Sequence, residues 1–294
     1  MLAYLTYRAG SYFARVLPWK FPNAIAWTIG QVSCLTRRKT RRNVENNMRI
    51  IHGGSLSKGE LRRMSRRVIM NFSRAILVFL KLPYYGWEEL SGRVDFDDLR
   101  EAAAELGGRP SFLLASIHMG PWELGGLCLS RYGFKLHTVA LDHPTAQVTR
   151  FFDERRRSIG VINHPIRKSY LVLKEALQQG DSVALLVDRA YGATSKRFDF
   201  FGVSHKFPMG HLMLSGSTGV PIFTGAMIFD GKDRFKYVHS GVHFPPSEGT
   251  QDFDKLEGLQ KACLRDFEAI IREHSEQWFQ FFPLEDPMEG DNAD

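Results

Sequence analysis

Two kinds of hydrophobic pattern divide this chain. Over residues 60–81, "ELRRMSRRVIMNFSRAILVFLK", Met64, Val68, Phe72, Ile76 and Leu80 recur at intervals of four, which predicts an amphipathic helix. From residue 111 onward short apolar runs take over: "SFLLASI" at 111–117, "KLHTVAL" at 135–141, "GVIN" at 160–163, "SVALLVD" at 182–188, "VPIFTGAMI" at 220–228 and "FKYVHSGVHF" at 235–244. Each reads as a strand. Between them the pattern predicts helices over 122–131, 145–158, 168–179, 209–218 and 252–276, with Gly180 stopping the third. Strands alternating with helices of this length predict an α/β fold with a central, largely parallel or mixed sheet flanked by helices. The 235–244 strand is expected to pair antiparallel at an edge. No repeat or low-complexity linker interrupts 37–282, which is read as a single domain, and the acidic "EDPMEGDNAD" within 283–294 reads as a loose tail.

The N-terminus follows neither pattern. From Phe21 to Thr36 no charge occurs, yet the run includes Pro22, Asn23, Thr28, Gln31 and Ser33 and is shorter than the roughly 20 residues a spanning helix needs. Arg8, Arg15 and Lys20 are scattered, unlike a cleaved signal. Residues 1–36 are therefore read as an amphipathic, membrane-surface segment. A helical hairpin packed on the core, or a true span, are the alternatives.

Charge sharpens that picture. The 294 residues carry a net charge of +7, and the pI is about 9.3, so an anionic partner is expected. The cations cluster in "RRKTRR" at 37–42 and in Arg62, Arg63, Arg66 and Arg67. They lie beside an apolar segment, not among stacking aromatics on a sheet face. That favours an anionic membrane surface and argues against nucleic acid. Three distant cysteines, with no metal-type spacing, fit a reducing compartment and imply no metal.

Candidate chemistry sits at "SIHMGPWELGG", 116–126. A strand ends at His118, Gly120 permits a tight turn, and Pro121 suits a helix start. A residue at the carboxyl end of a parallel strand faces the usual ligand crevice of an open α/β sheet. From the next helical turn Glu123 can reach back to orient the imidazole, leaving its other nitrogen as a base. The bland alternative is a loop histidine and a helix-start glutamate. Asp188, at the end of the 182–188 strand, points toward the same crevice. No serine elbow surrounds a nucleophile, so a base acting on a substrate hydroxyl is favoured.

Several ordered blocks, over about 37–282, resemble the bacterial lipid A late acyltransferases and their lysophospholipid acyltransferase relatives. "SIHMGPWELGG" is similar to their H-x₄-D/E block. "RRKTRRNVENNMRI", "LKEALQQGDSVALLVDRA", "FDFFGVSHKFPMG", "TGVPIF" and "HSEQWFQFF" look like further blocks. The last departs from the family pattern, with Ser275 where proline is usual and no final histidine. The resemblance implies a glycerol-phosphate-acyltransferase-like fold and transfer of a fatty acyl chain from an acyl-carrier-protein or CoA thioester, without other cofactor, to a hydroxyl of a membrane lipid such as a lipid A precursor. It implies His118 as base and Glu123 as its orienter, with Arg156 or Arg157 near the developing oxyanion, Arg157 having the spacing to Gly160 nearer to the family's. Asp188-Arg189 stands where the family usually has Asp-Gln, and Arg189 is a candidate for a phosphate on the acceptor. Gly120 shapes the turn, and Phe201 and Gly202 are candidates for the acyl-pocket floor or a buried turn. Peripheral attachment at the cytoplasmic face of the inner membrane follows. A thioester hydrolase or an inactive lipid-binding protein of the same fold is the alternative.

Overall fold

The computed structural model describes residues 2–16, 21–105, 108–109, 111–166, 169–190 and 194–284. The chain runs α1 Leu2–Val16, α2 Phe21–Thr36, α3 Arg38–Ile51, α4 Lys58–Lys81, α5 Trp87–Ser91, β1 Val94–Asp95, α6 Asp97–Glu105, β2 Leu113–Ser116 and α7 Trp122–Arg131. It continues through β3 Leu136–Ala140, α8 Ala146–Ser158, β4 Val161–Pro165, α9 Ser169–Gln178 and β5 Ser182–Leu186. Last come β6 Ser195–Phe200, β7 Val203–Pro208, α10 Gly210–Thr218, β8 Ile222–Phe229, β9 Phe235–His243 and α11 Phe253–Glu273.

Seven strands form one sheet in the order β1-β9-β8-β2-β5-β3-β4. The run from β8 to β4 is parallel, and β9 joins β8 antiparallel. All six strands read from the sequence are present. β9 is not the edge, because the two-residue β1 pairs outside it. Every residue of β2 and β8 is buried, as continuous apolar runs covered on both faces require.

The helices start and stop where their chemistry directs. Ser57 and Glu60 form a reciprocal capping box at the head of α4. Thr145 caps α8 and Asp252 caps α11. The buried face of α4 differs from the expected stripe. Val68 and Leu80 of that stripe are buried, together with Leu61, Ser65, Ala75, Val78 and Phe79, whereas Met64, Phe72 and Ile76 are only half-buried. Four residues advance the helix by about 400°, so a row of fours drifts by about 40° per step; alternating threes and fours hold one face.

α1 and α2 both pack on α4, and α1 also meets α8. Their outward faces leave Leu5, Tyr12, Phe13 and Val16 of α1, and Trp27, Ile29 and Val32 of α2, exposed. Among the described residues no helix is long and apolar enough to cross a membrane. At the other end Phe282 is exposed but Leu284 is again fully buried; the acidic stretch 285–294 lies outside the described residues.

A candidate active site at the sheet rim

Parallel pairing of β2 and β5 sets Ser116 opposite Leu186. Two residues further along each strand come His118 and Asp188, so both leave the sheet at its carboxyl-end rim, side by side. Nδ1 of His118 lies 2.7 Å from Oδ1 of Asp188. A nitrogen facing a carboxylate oxygen must carry the proton, which leaves Nε2 with its lone pair. Nε2 has no hydrogen-bond partner among the described residues, and the side chain is 18% exposed.

Asp188 is buried and fully engaged. Its Oδ2 accepts from the His118 backbone N–H at 3.0 Å and from the Trp278 indole N–H at 2.9 Å. Burial alone would raise its carboxyl. The His118 imidazole, the charge of Arg189 and the Trp278 hydrogen bond outweigh burial and hold it well below the usual carboxylate range.

The histidine loop is bolted to the C-terminal segment. The Phe279 N–H donates to the His118 carbonyl at 2.8 Å, and the Gly120 N–H donates to the Gln277 carbonyl at 3.0 Å. Gly120 has φ 50°, and a Cβ there would lie 2.1 Å from the Met227 carbonyl oxygen, so only glycine lets the loop approach β8 this closely. Asparagines of α3 and α4 hold the same segment. Asn47 Nδ2 donates to the carbonyls of Gln280 and Phe282, and Asn71 Nδ2 donates to that of Glu276. Trp278 and these asparagines are site-building residues to which the sequence patterns assign no role. Asn47 and Trp278 lie within the family-like stretches "RRKTRRNVENNMRI" and "HSEQWFQFF", whereas Asn71, within the 60–81 helix, carries no such signal.

Glu123 does not hold the imidazole. Its carboxylate accepts from Arg156 Nη2 at 2.7 Å and Nε at 3.0 Å, and both side chains are largely buried. The expected His118–Glu123 contact is replaced for a physical reason. Glu123 lies in the first turn of α7, within reach of α8, while the register of β2 and β5 has already brought a carboxylate to Nδ1. Glu123 and Arg156 provide the polar side of a narrow, mostly apolar crevice lined by Leu114, Leu129, Val139 and Met227. Trp122 lines it too and packs edge-on against His118, with ring centroids 5.7 Å apart.

The other candidates fall elsewhere. Arg157 is exposed and lines a separate cleft with Asp142 and His143. Arg189 Nη2 donates to the Phe279 carbonyl at 2.6 Å, fixing the segment that carries Trp278. Phe201 and Gly202 form the two-residue turn of the β6–β7 hairpin, both with positive φ. The Phe201 N–H donates to Glu268 of α11, outside the crevice lining. No group of three or more metal-ligating side chains occurs among the described residues.

A buried carboxylate, an imidazole oriented by it with its second nitrogen free, and an apolar crevice beside them mark this rim as the candidate active site of an α/β enzyme. Residues 2–284 match the bacterial lipid A biosynthesis acyltransferase family, and the chain belongs to it; it is an O-acyltransferase. It is similar to the phosphatidylinositol mannoside acyltransferase of Mycolicibacterium smegmatis, 24% identical over 222 residues that cover 74% of this chain and 71% of that protein. A protein of the same name from Mycobacterium tuberculosis is 28% identical over 210 residues, covering 69% of this chain and 64% of that protein, just under two thirds of its length.

Proposed function

We propose that this enzyme moves a fatty acyl chain from an acyl-carrier-protein or CoA thioester to a hydroxyl of an anionic membrane glycolipid, with His118 as general base and Asp188 as its orienter. A single observation carries the reading: Asp188 takes Nδ1 of His118 and leaves Nε2 free at the rim. Nε2 accepts the hydroxyl proton as the oxygen attacks the thioester carbonyl. The C–S bond then breaks, and the imidazolium returns the proton to the leaving thiolate. Asp188 stabilises the imidazolium in between, a role worth about 10²–10⁴ in rate. The crevice beside Trp122 accommodates the acyl chain.

The family description points to a lipid A precursor as acceptor, and the curated relatives point to a mannosylated phosphatidylinositol; both are phosphorylated glycolipids. The exposed apolar faces of α1 and α2, with Arg37, Arg38, Lys39 and Arg42 exposed at the head of α3, support peripheral attachment at the cytoplasmic face of the inner membrane.

The test is acyl transfer from labelled acyl-carrier-protein and acyl-CoA to extracted lipid, read by mass spectrometry, in the wild type and in His118→Ala. Transfer should fall by about 10²–10⁴ in the variant. Full transfer by His118→Ala would defeat the proposed base, and free acid released without lipid product would make the enzyme a hydrolase.

A further inference from the structure

Helix α8 carries three consecutive arginines and aims them in three directions. Arg156 meets Glu123, and Arg157 lies open. Arg155 turns away from the rim into a cleft of about 510 Å³ between α1, Tyr84 and α8. It is 8% exposed. Its Nη2 donates to the Ser11 hydroxyl and, at 3.5 Å, to that of Tyr84; those two hydroxyls lie 2.9 Å apart. Its guanidinium lies 4.4 Å over the Phe151 ring, and its buried Nε has no partner.

Two more arginines line the same cleft. Arg8 and Arg15 flank Ser11 on α1, at spacings of three and four that place all three on one helix face. Arg15 sits 5.8 Å over the Tyr84 ring. The carboxylate in the lining, Glu154, is engaged by Arg150 at 2.8 Å. Among the described residues no carboxylate oxygen comes within 4.0 Å of the guanidinium of Arg8, Arg15 or Arg155. Burial would raise the Tyr84 hydroxyl, yet hydrogen bonds from Arg155 and Ser11 and the charges of both arginines pull it below its usual value. The cleft is thus strongly electropositive and unneutralised.

Arg15 and Arg155 both lie over the Tyr84 ring, at 5.8 and 5.7 Å, and Arg8 lines the same cleft beside Tyr4; like charges gathered in one cleft repel one another unless an anion joins them. Guanidinium forks with two hydroxyls match the several oxygens of a phosphoryl group and exceed what one carboxylate can accept. We propose that the α1–α8 cleft is a binding site for a phosphoryl group, presented by a phospholipid head group or by a free phosphate ester. The exposed Leu5, Tyr12, Phe13 and Val16 on the same helix supply an apolar border that a lipid would use. The site is independent of acyl transfer, because it needs only binding.

The full-length protein tests this in two arms: calorimetry with glycerol 3-phosphate, and flotation with phosphatidylcholine vesicles with or without phosphatidic acid. Three variants are compared. Arg8→Gln/Arg15→Gln removes two exposed cations, and Ser11→Ala/Tyr84→Phe removes the hydroxyls at constant charge. Lys255→Gln/Arg265→Gln removes the same charge from the exposed surface of α11. Binding should weaken about tenfold or more in the first variant and severalfold in the second, and stay within about twofold in the third. If only phosphatidic acid vesicles, or both probes, follow this order, the ligand is a lipid head group. If only glycerol 3-phosphate does, it is a free ester. Absence of saturable binding to both probes, or equal weakening in the α11 variant, overturns the site.

Discussion

Asp188 and His211 are both sealed from water, and both titrate below their ordinary values, yet for opposite reasons. At the sheet rim Asp188 stays ionised because His118, Arg189 and Trp278 overcome the cost of burial. In the first turn of α10 His211 is almost wholly buried beside Gln260, and burial alone drives its imidazole down to about 4, with Gln260 opposing. One group is a charge held by partners; the other is neutral because it has no charged partner. Burial of a titratable group therefore marks chemistry only where counter-groups and a free reactive atom accompany it.

Asp188→Asn is the sharpest way to break the contrast. An amide at 188 no longer fixes the tautomer or stabilises the imidazolium, so kcat should fall by about 10³–10⁴ with a much smaller change in KM. A loss under tenfold would return the orienting role to Glu123. Glu123→Gln should act mainly on stability. It leaves the largely buried Arg156 guanidinium with only the more distant Asp153, at 3.9 Å, as counter-charge and should cost on the order of 3 kcal/mol in denaturant unfolding. Glu123→Gln/Arg156→Met should regain much of that, since both charges are gone; no regain would mean the pair is not coupled.

His211 makes an acid-side prediction. Its folded value of about 4 lies below the unfolded value of about 6.5, so the unfolded chain binds more protons between them. Its contribution is complete above pH of about 6.5 and is lost as pH falls toward 4, on the order of 3 kcal/mol in all. Thermal melts from pH 7.5 to 4.5 should flatten in His211→Leu relative to wild type; parallel curves would refute this. The smallest effect concerns the neighbour of Arg156. Arg157→Gln should change the transfer rate by less than about twofold, because Arg157 is exposed outside the crevice; a tenfold loss would place it at the oxyanion after all.

Most of the α/β frame was legible locally. Helix α7 was read to the residue, and α8, α9, α10 and α11 to within a few at either end, because periodicity and punctuation by Gly180 or Thr145 are written in neighbouring residues. The β6–β7 hairpin escaped the pattern reading, although Phe198, Phe200, His205 and Phe207 are buried in alternation around a Phe201-Gly202 turn. Its charged positions masked the period of two. The two-residue β1 is too short to carry any pattern.

The site divides along the same line. His118, Glu123 and Asp188 could each be picked out from residue type and position, because strand ends and first helical turns are local features; Arg156, in the last turn of α8, came only through the family resemblance and only as one of a pair with Arg157. Which carboxylate meets which cation could not be picked out. That choice follows from β5 lying beside β2 in parallel register, and from a C-terminal segment some ninety positions beyond Asp188 returning Trp278 to it. The order of amino acids settled the period of each segment, and hence the class of fold and the inventory of reactive groups. Pairing of strands and helices distant in the chain settled the rest: Asp188 to His118, Glu123 to Arg156, and Arg155 to a cleft of its own. Hydrogen bonds and burial between distant residues form only once the strands have chosen their neighbours, and no short stretch of sequence encodes that choice.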